Sequence, residues 1–305
     1  MKERILYMNG AFIPEKEAKV SIFDRGFQLG DSVFDVARTF GHKPFKLDGH
    51  IERLYRSLKA VRINLRIRPD EMKDITLKVL SNNLDLIGQN DDYWLIQVVT
   101  RGVTEGGPAT TTSASDGEPT VIVYCQPVPF KRFAKYYSSG IHTIISSVRG
   151  IPPECVDARI KTYSRLNYVL ADLEVKAQDP AAYALLLDTK GNLTEGTTNN
   201  LFLVSAGRLF TAKHNVLWGV TRQTVIDLAQ ELRIPTIEGD FTPYDLYTAD
   251  EAFLSITSGV ILPIAVVNGT RITETIPGPI TAKLLKAFSD KVGVDVVKQA
   301  ESHLD

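Results

Sequence analysis

Residues 164–204, SRLNYVLADLEVKAQDPAAYALLLDTKGNLTEGTTNNLFLV, carry the pattern that decides the fold. The first part predicts a helix from about Ser164 to Gln178, and the apolar run AYALLLD predicts a strand directly after it. The turn TKGN then leads to a second strand, NLFLV, in a hairpin. Because strands and helices mix here without strict βαβ alternation, the stretch favours an α+β fold.

The chain before this stretch predicts a smaller domain over residues 1–125. RILYMNGAFIP indicates a hairpin that turns at Asn9 and Gly10, and SVFDVARTF with KPFKL indicates a second one. The run GHIERLYRSLKAVRI has helical spacing after Asp48, which we expect to be its N-cap. Pro69 opens a second helix, and YWLIQVVT and PTVIVYC are predicted strands.

Residues 126–138 lose this periodicity and contain two prolines, which is typical of a connector between domains. A larger domain is expected over residues 139–305. Beyond the opening stretch it contains a predicted helix, VTRQTVIDLAQEL, with Thr221 as N-cap, and predicted strands EAFLSIT and PIAVVNG. The last helix is expected to start near Pro279.

Composition and charge exclude several classes of protein. The 305 residues have 44% hydrophobic side chains and a net charge of −1, which is a globular composition without bulk attraction to nucleic acid or anionic lipid. Two cysteines without a CxxC pair argue against a disulfide framework or zinc site and predict a cytoplasmic location. No apolar run approaches the roughly 18 residues of a membrane span, so we expect no membrane partner.

Common catalytic motifs are absent from the sequence. It has no GxGxxG, GxxxxGK[ST], GxSxG or HExxH, and its five histidines are scattered. This weakens the P-loop, serine-hydrolase and metallohydrolase hypotheses, and no metal is expected.

Two segments have the chemistry of an anion site. GVTRQTV puts Val220 and Thr221 at a helix start, where free NH groups and the helix dipole favour an anion. SITSGV offers Ser255, Thr257 and Ser258 at a strand end. The simpler interpretations are an ordinary N-cap and ordinary turn chemistry.

Charged residues raise two further hypotheses. A basic helix face indicates either a solvated surface or nucleic-acid binding, with Arg53 able to turn inward to a phosphate instead. Lys161 follows one turn and Glu195 another, so a Schiff-base lysine and a buried carboxylate are candidates beside two surface charges. The basic face consists of Arg53, Arg56, Lys59, Arg62 and Arg66.

Taken together and in order, these segments resemble the class IV, or fold type IV, pyridoxal-phosphate (PLP) aminotransferases. The resemblance implies a two-domain fold with a smaller N-terminal α/β domain and a larger, mixed β domain with helices at the C-terminus. It covers nearly the whole chain, from MNGAFIP through SIFDRGFQLGDSVFDVAR, HIERL, RIKTYSRLNYVLA, LTEGTTNNLFLV, LWGVTR and SITSGVILPI to PGPIT.

The resemblance also implies a role for each matching residue. Lys161 would bond covalently to the PLP aldehyde and move the proton at the substrate Cα. Glu195, in EGxxxNLF, would pair with the pyridine nitrogen, and Leu217 would pack beneath the ring. The phosphate would be held by Arg53 of HxxRL, the Val220 NH and Thr221 of LxGxTR, and Thr257. A guanidinium, hydroxyls and a helix N-terminus are groups that a phosphate prefers.

The implied reaction is a ping-pong transfer from an amino donor to a 2-oxo acid by a homodimer. The leading hypothesis is a hydrophobic, branched-chain-type amino acid as donor, with (R)-primary amines as further donors. FDVAR keeps the arginine of the branched-chain enzymes, Arg38. We expect Arg38 and the Ser258 backbone NH to hold the substrate carboxylate, the alternatives being a salt bridge and a turn NH.

A D-amino-acid transaminase is the alternative within the family. KTYSRLNYVLA is closer to the D-amino-acid and lyase branches, and Leu166 stands where branched-chain enzymes have a tyrosine. Against it, the loop from Val103 to Glu118 has no Arg or His to clamp a carboxylate. An aminodeoxychorismate-type lyase is weakened because DVAR replaces TTAR. A non-catalytic nucleic-acid-binding protein is the hypothesis from another class.

Overall fold

The computed structural model describes residues 3–103 and 117–304, which form two compact units. The first unit is Met1–Val128 with Ile160–Arg165, and the second is Pro129–Arg159 with Leu166–Asp305. The predicted domain limits at residues 125 and 139 stay a prediction. Most of the loop that bears on the D-amino-acid alternative, residues 104–116, lies outside the described residues.

Within its described residues, the first unit is an antiparallel six-stranded sheet with two long helices. The strand order is β2-β1-β6-β5-β3-β4. The strands are β1 (Ile5–Met8), β2 (Ala11–Pro14), β3 (Ser32–Phe40), β4 (Lys43–Pro44), β5 (Tyr93–Thr100) and β6 (Val121–Pro127), and the helices are α1 (Arg25–Leu29), α2 (Leu47–Ala60) and α3 (Pro69–Asn83).

Local sequence explains the turn and one helix start in this unit. Asn9 and Gly10 have φ of 46° and 98°, the backbone that a two-residue hairpin between β1 and β2 requires, and this prediction is confirmed. Pro69 is the first residue of α3, as predicted. The N-cap prediction for Asp48 is wrong, because α2 starts at Leu47 after Lys46 in the left-handed region. Asp48 lies in the first turn instead.

Helices α2 and α3 cover one face of the sheet. Leu54 of α2 and Met72 of α3 are completely buried in one core with Val33, Leu95 and Val99 from the strands. Each such side chain contributes roughly 1.5–3 kcal/mol by leaving water. This core fixes α2 against β3, the strand that carries several candidate site residues.

The second unit contains a nine-stranded mixed sheet within its described residues. The strand order is β12-β11-β10-β13-β14-β7-β8-β9, and β15 pairs with β14. The strands are β7 (Ile141–Arg149), β8 (Tyr183–Leu187), β9 (Leu193–Gly196), β10 (Asn200–Ser205), β11 (Arg208–Ala212), β12 (Thr236–Gly239), β13 (Glu251–Ile256), β14 (Val260–Val267) and β15 (Thr270–Arg271). The helices are α4 (Tyr136–Ser139), α5 (Leu166–Gln178), α6 (Val220–Glu231), α7 (Pro243–Tyr247), α8 (Pro279–Val292) and α9 (Val296–Glu301).

Strands β9 and β10 differ from the predicted single hairpin. β8 pairs with β9, and a second turn then leads into β10. Asn200 at the start of β10 pairs with Glu195 at the end of β9, which closes a ring of strands through β13, β14, β7 and β8. Thr221 is not the N-cap of α6, because the helix starts at Val220 after an extended Gly219.

Two features are absent from the part of the chain that the structure describes. None of the helices in residues 3–103 and 117–304 is both long and apolar enough to cross a membrane. In the same residues, no cluster of three or more His, Cys, Asp or Glu side chains has the arrangement of a metal site.

Candidate active site

Lys161 belongs to a short segment that is fastened to the first unit. The backbone NH of Phe34 donates to the Lys161 carbonyl at 3.0 Å, and the Lys161 NH donates to Ser57 Oγ at 3.2 Å. Val33 and Thr162 form an isolated β-bridge beside these contacts. Strand β3 and helix α2 therefore fix the backbone from which the lysine side chain extends.

Aromatic side chains surround the Lys161 amine. Its Nζ lies 4.6 Å from the centroid of the Phe34 ring, a cation–π distance. Tyr163 stacks on the same ring, with centroids 3.9 Å apart and planes at 9°. The hydroxyl of Tyr124 bonds to Tyr163, and burial raises the pKa of Tyr124. The lysine amine therefore faces a wall of apolar ring surface with neutral hydroxyls.

Arg53 turns inward to a buried carboxylate. Its Nε and Nη2 both donate to Asp35 at 2.8 Å, and His50 Nδ1 lies 2.7 Å from Asp35 Oδ1. Burial alone would raise the pKa of Asp35, but the Arg53 charge and His50 outweigh it and lower that pKa. Burial, with the charges of Arg53 and Lys161, lowers the pKa of His50. Asp35 thus stays ionised and fixes the Arg53 guanidinium.

Sequence reasoning missed Asp35 and His50. A signal for them existed: Asp35 is a carboxylate in the middle of a nine-residue, mostly apolar strand, and His50 precedes Arg53 by three residues on one helix face. A buried charge in such a strand requires a partner.

Arg38 lies in a separate buried network. Its Nη2 donates to Asp92 at 3.3 Å, its Nε donates to the Thr39 carbonyl at 2.9 Å, and its guanidinium stacks on Phe40. The side chain is 3% exposed. This geometry matches the salt-bridge interpretation, and contact with a substrate carboxylate stays a prediction.

In the second unit, Glu195 is surrounded by donors. Tyr168 Oη donates to its Oε1 at 3.0 Å, whereas Asn200 Nδ2 at 2.9 Å and the Leu217 NH at 2.8 Å donate to its Oε2. Such bonds favour the ionised carboxylate. The sequence analysis did not identify Asn200 or Tyr168 as partners of Glu195. The spacing EGxxxN was the available signal, because it sets Asn200 opposite Glu195.

Asn200 also holds the segment before α6. Its Nδ2 donates to the Leu217 carbonyl at 2.9 Å. A Cβ on Gly219 would lie 2.3 Å from Asn200 Oδ1, so only glycine allows this approach. The extended Gly219 then starts α6, whose first-turn NH groups, on Val220 and Thr221, have no intrahelical acceptors. These NH groups suit an anion.

Thr257 and Ser258 lie in the tight connection from β13 to β14. Ser258 is 7% exposed, and Tyr137 Oη donates to the Gly259 carbonyl at 2.8 Å. Val260 has φ of 60°, which is rare for a β-branched residue and is typical of strained ligand-binding turns.

The predicted site residues fall into two sets. Lys161 and Arg53 lie together in the first unit, near α2 and β3, with Arg38 further along β3. The other set lies in the second unit. That both sets face one ligand stays a prediction. The second set consists of Glu195, Leu217, Val220, Thr221, Thr257 and Ser258.

The chain is similar to known aminotransferases in sequence. Residues 32–267 match the family model described as amino-transferase class IV. A putative branched-chain-amino-acid aminotransferase of Methanocaldococcus jannaschii is 38% identical over 93% of this chain and 95% of that protein. A D-alanine aminotransferase of Listeria monocytogenes is 30% identical over 93% of this chain and 95% of its own length.

Solved structures agree. The branched-chain amino acid aminotransferase of Escherichia coli superposes with a TM-score of 0.87 at 28% identity, covering 95% of this chain and 94% of that one. A branched-chain amino acid aminotransferase of T.th., solved with pyridoxamine 5′-phosphate, gives a TM-score of 0.84 at 26% identity, covering 96% of this chain and 95% of that one.

Proposed function

The chain belongs to the class IV aminotransferase family, and we propose that it transfers the amino group of hydrophobic, branched-chain-type amino acids to a 2-oxo acid. Members of this family are PLP-dependent transaminases of fold type IV, and this chain is such an enzyme. The donor class is the part that remains to be tested.

The wall beside Lys161 carries the donor proposal. Phe34 and Tyr163 present stacked ring faces next to the amine, and neither ring carries a charge that would disfavour an apolar substrate side chain. Such a side chain gains free energy by covering ring surface. The name of the M. jannaschii relative supports the same donor class.

The residues present suit PLP. The α6 start with Thr221, the Thr257 turn and Arg53 are the groups that we propose for the phosphate. Glu195, held as an acceptor by Asn200 and the Leu217 NH, suits a protonated pyridine nitrogen. Leu217 would pack against the ring. The unpartnered, buried hydroxyl of Ser255 adds a polar group to this surface.

We assign the chemistry as follows. When bound, PLP holds the amino acid covalently and draws electron density away from its Cα. Lys161 carries PLP in the resting enzyme and then moves the Cα proton as general acid and base. Glu195 holds the pyridine proton, and Tyr168 and Asn200 orient that carboxylate. Arg38 and the Ser258 NH are proposed for the substrate carboxylate. Two half-reactions give ping-pong kinetics.

A D-amino-acid transaminase is the second candidate, because several D-alanine aminotransferases are about as long as this chain and 28–30% identical to it. (R)-primary amines remain proposed as further donors. No observation favours the lyase. The nucleic-acid hypothesis is weakened because Arg53 is bound to Asp35 and Arg56 pairs with Glu52 at 3.4 Å.

We further propose a homodimer in the cytoplasm. The family resemblance supports the dimer, and two unpaired cysteines, Cys125 and Cys155, are consistent with a reducing compartment. Light scattering on the purified protein measures the oligomeric state. A monomeric mass for the PLP-loaded enzyme would contradict this proposal.

A panel of donors with 2-oxoglutarate tests the donor class. We expect kcat/KM to be highest for L-leucine, lower for (R)-1-phenylethylamine, and lowest for D-alanine. Phe34→Leu, which removes ring surface, should lower kcat/KM for L-leucine by about tenfold. A preference for D-alanine would overturn the donor proposal in favour of the second candidate.

A further inference from the structure

Three polar side chains form a row across adjacent strands of the second unit. Glu195 of β9 lies opposite Asn200 of β10, and Asn200 lies opposite Ser255 of β13. Directly opposite residues in a sheet point to the same face. A carboxylate, an amide and a hydroxyl thus share one face, and each of them is buried.

The hydroxyl of Ser255 is the unsatisfied member of this row. Ser255 is 2% exposed, and its Oγ has no hydrogen-bond partner among the described residues. Asn200 Nδ2 is already engaged with Glu195 and the Leu217 carbonyl. Buried hydroxyls are normally hydrogen-bonded, so an unpartnered one indicates a missing ligand or water.

The position of Ser255 selects the ligand. Thr257 follows it by two residues, so the two side chains point to the same side of an extended chain, roughly 7 Å apart. Ser255 therefore lies between Glu195, proposed for the pyridine nitrogen, and Thr257, proposed for the phosphate. A molecule spanning those two groups passes over the Ser255 hydroxyl.

We propose that Ser255 is a further cofactor-binding residue whose hydroxyl makes a hydrogen bond to PLP. The identity of the ligand rests on the proposed function, whereas the orphaned hydroxyl is a property of this chain. One consequence follows for the protein without PLP. There the hydroxyl is buried without a partner, so its removal should not destabilise the fold.

Ser255→Ala tests this with a binding and a stability measurement. PLP is titrated into the apoprotein, with tryptophan emission and absorbance as signals. We expect the Kd for PLP to rise about tenfold, the loss of one hydrogen bond. Urea unfolding of the apoprotein should give a midpoint equal to or above that of the unchanged protein.

Thr211→Val is the matched control. Thr211 is also 2% exposed in the same sheet, but its Oγ1 donates to the Leu201 carbonyl at 2.7 Å. This variant should lose apoprotein stability and keep the Kd for PLP. Ser255→Cys, which keeps the size and weakens the donor, gives the same binding test if the alanine variant does not fold.

Two results would overturn the inference. One is an unchanged Kd for PLP in Ser255→Ala, and the other is a destabilised apoprotein, which would reveal a protein partner for the hydroxyl. Absence of PLP binding by the unchanged protein is a different result, because it would overturn the proposed function itself.

Discussion

Asp35 is the residue on which the position of Arg53 depends. It is completely buried, so Asp35→Asn would leave the Arg53 guanidinium charged and buried without its counter-charge. We expect the free energy of unfolding to fall by about 3–5 kcal/mol. Asp48→Asn is the control, because Asp48 is an exposed partner of Lys73 and should change it by less than about 1 kcal/mol. Equal effects in urea unfolding would contradict this account.

His50, beside Asp35, gives the fold a pH dependence. Burial lowers its pKa, whereas the unfolded chain binds a proton near pH 6.5. Below that pH the unfolded state binds more protons, so the free energy of unfolding falls as the pH falls. In His50→Asn this slope should be shallower by up to about 1.4 kcal/mol per pH unit. Urea unfolding at pH 7.5, 6.5 and 5.5 measures it, and identical slopes would contradict it.

Residue types at the site were predictable, but their partners were not. Ordered motifs identified Lys161 and Glu195 because the reaction demands an amine and a carboxylate. Asp35 was missed because its partners lie on another element, and the burial that forces them together is set by the packing of α2 on β3. Arg38 illustrates the same point, since its link to Asp92 spans 54 residues of sequence.

At the scale of elements, strand β13 fixes the start of helix α8. Glu251 accepts from the Ile280 and Thr281 NH groups at 2.8 Å, and a Cβ on Gly278 would lie 2.2 Å from its Cδ. Gly278→Ala should therefore lower the free energy of unfolding by about 1–3 kcal/mol. Gly49→Ala, in α2 with open space around it, should raise it by about 0.5–1 kcal/mol. Urea unfolding of both variants tests this, and equal signs would contradict it.

Element types followed from periodicity, and element ends did not. The Asn9 turn and the Pro69 start were predictable because their backbone angles are local properties. The caps proposed at Asp48 and Thr221 were wrong because the preceding chain already sets the helix start, through Lys46 and Gly219. The second turn before β10 was missed for a similar reason: the Glu195–Asn200 pairing that defines it is a contact between strands.

For the whole molecule, the α+β class and the family were predictable because both depend on the order of many segments. The match over residues 32–267 spans the same segments that carried the resemblance. The donor class was not predictable in this way, since it depends on a few side chains such as Tyr163 against Phe34.

The central claim is that Lys161 carries PLP, and borohydride trapping tests it most directly. Reduction of the PLP-loaded enzyme makes the covalent link permanent, and peptide mass mapping then identifies the modified lysine. We predict the phosphopyridoxyl group on Lys161 alone, and none in Lys161→Ala. Modification of a different lysine, or equal labelling of the variant, would contradict the account.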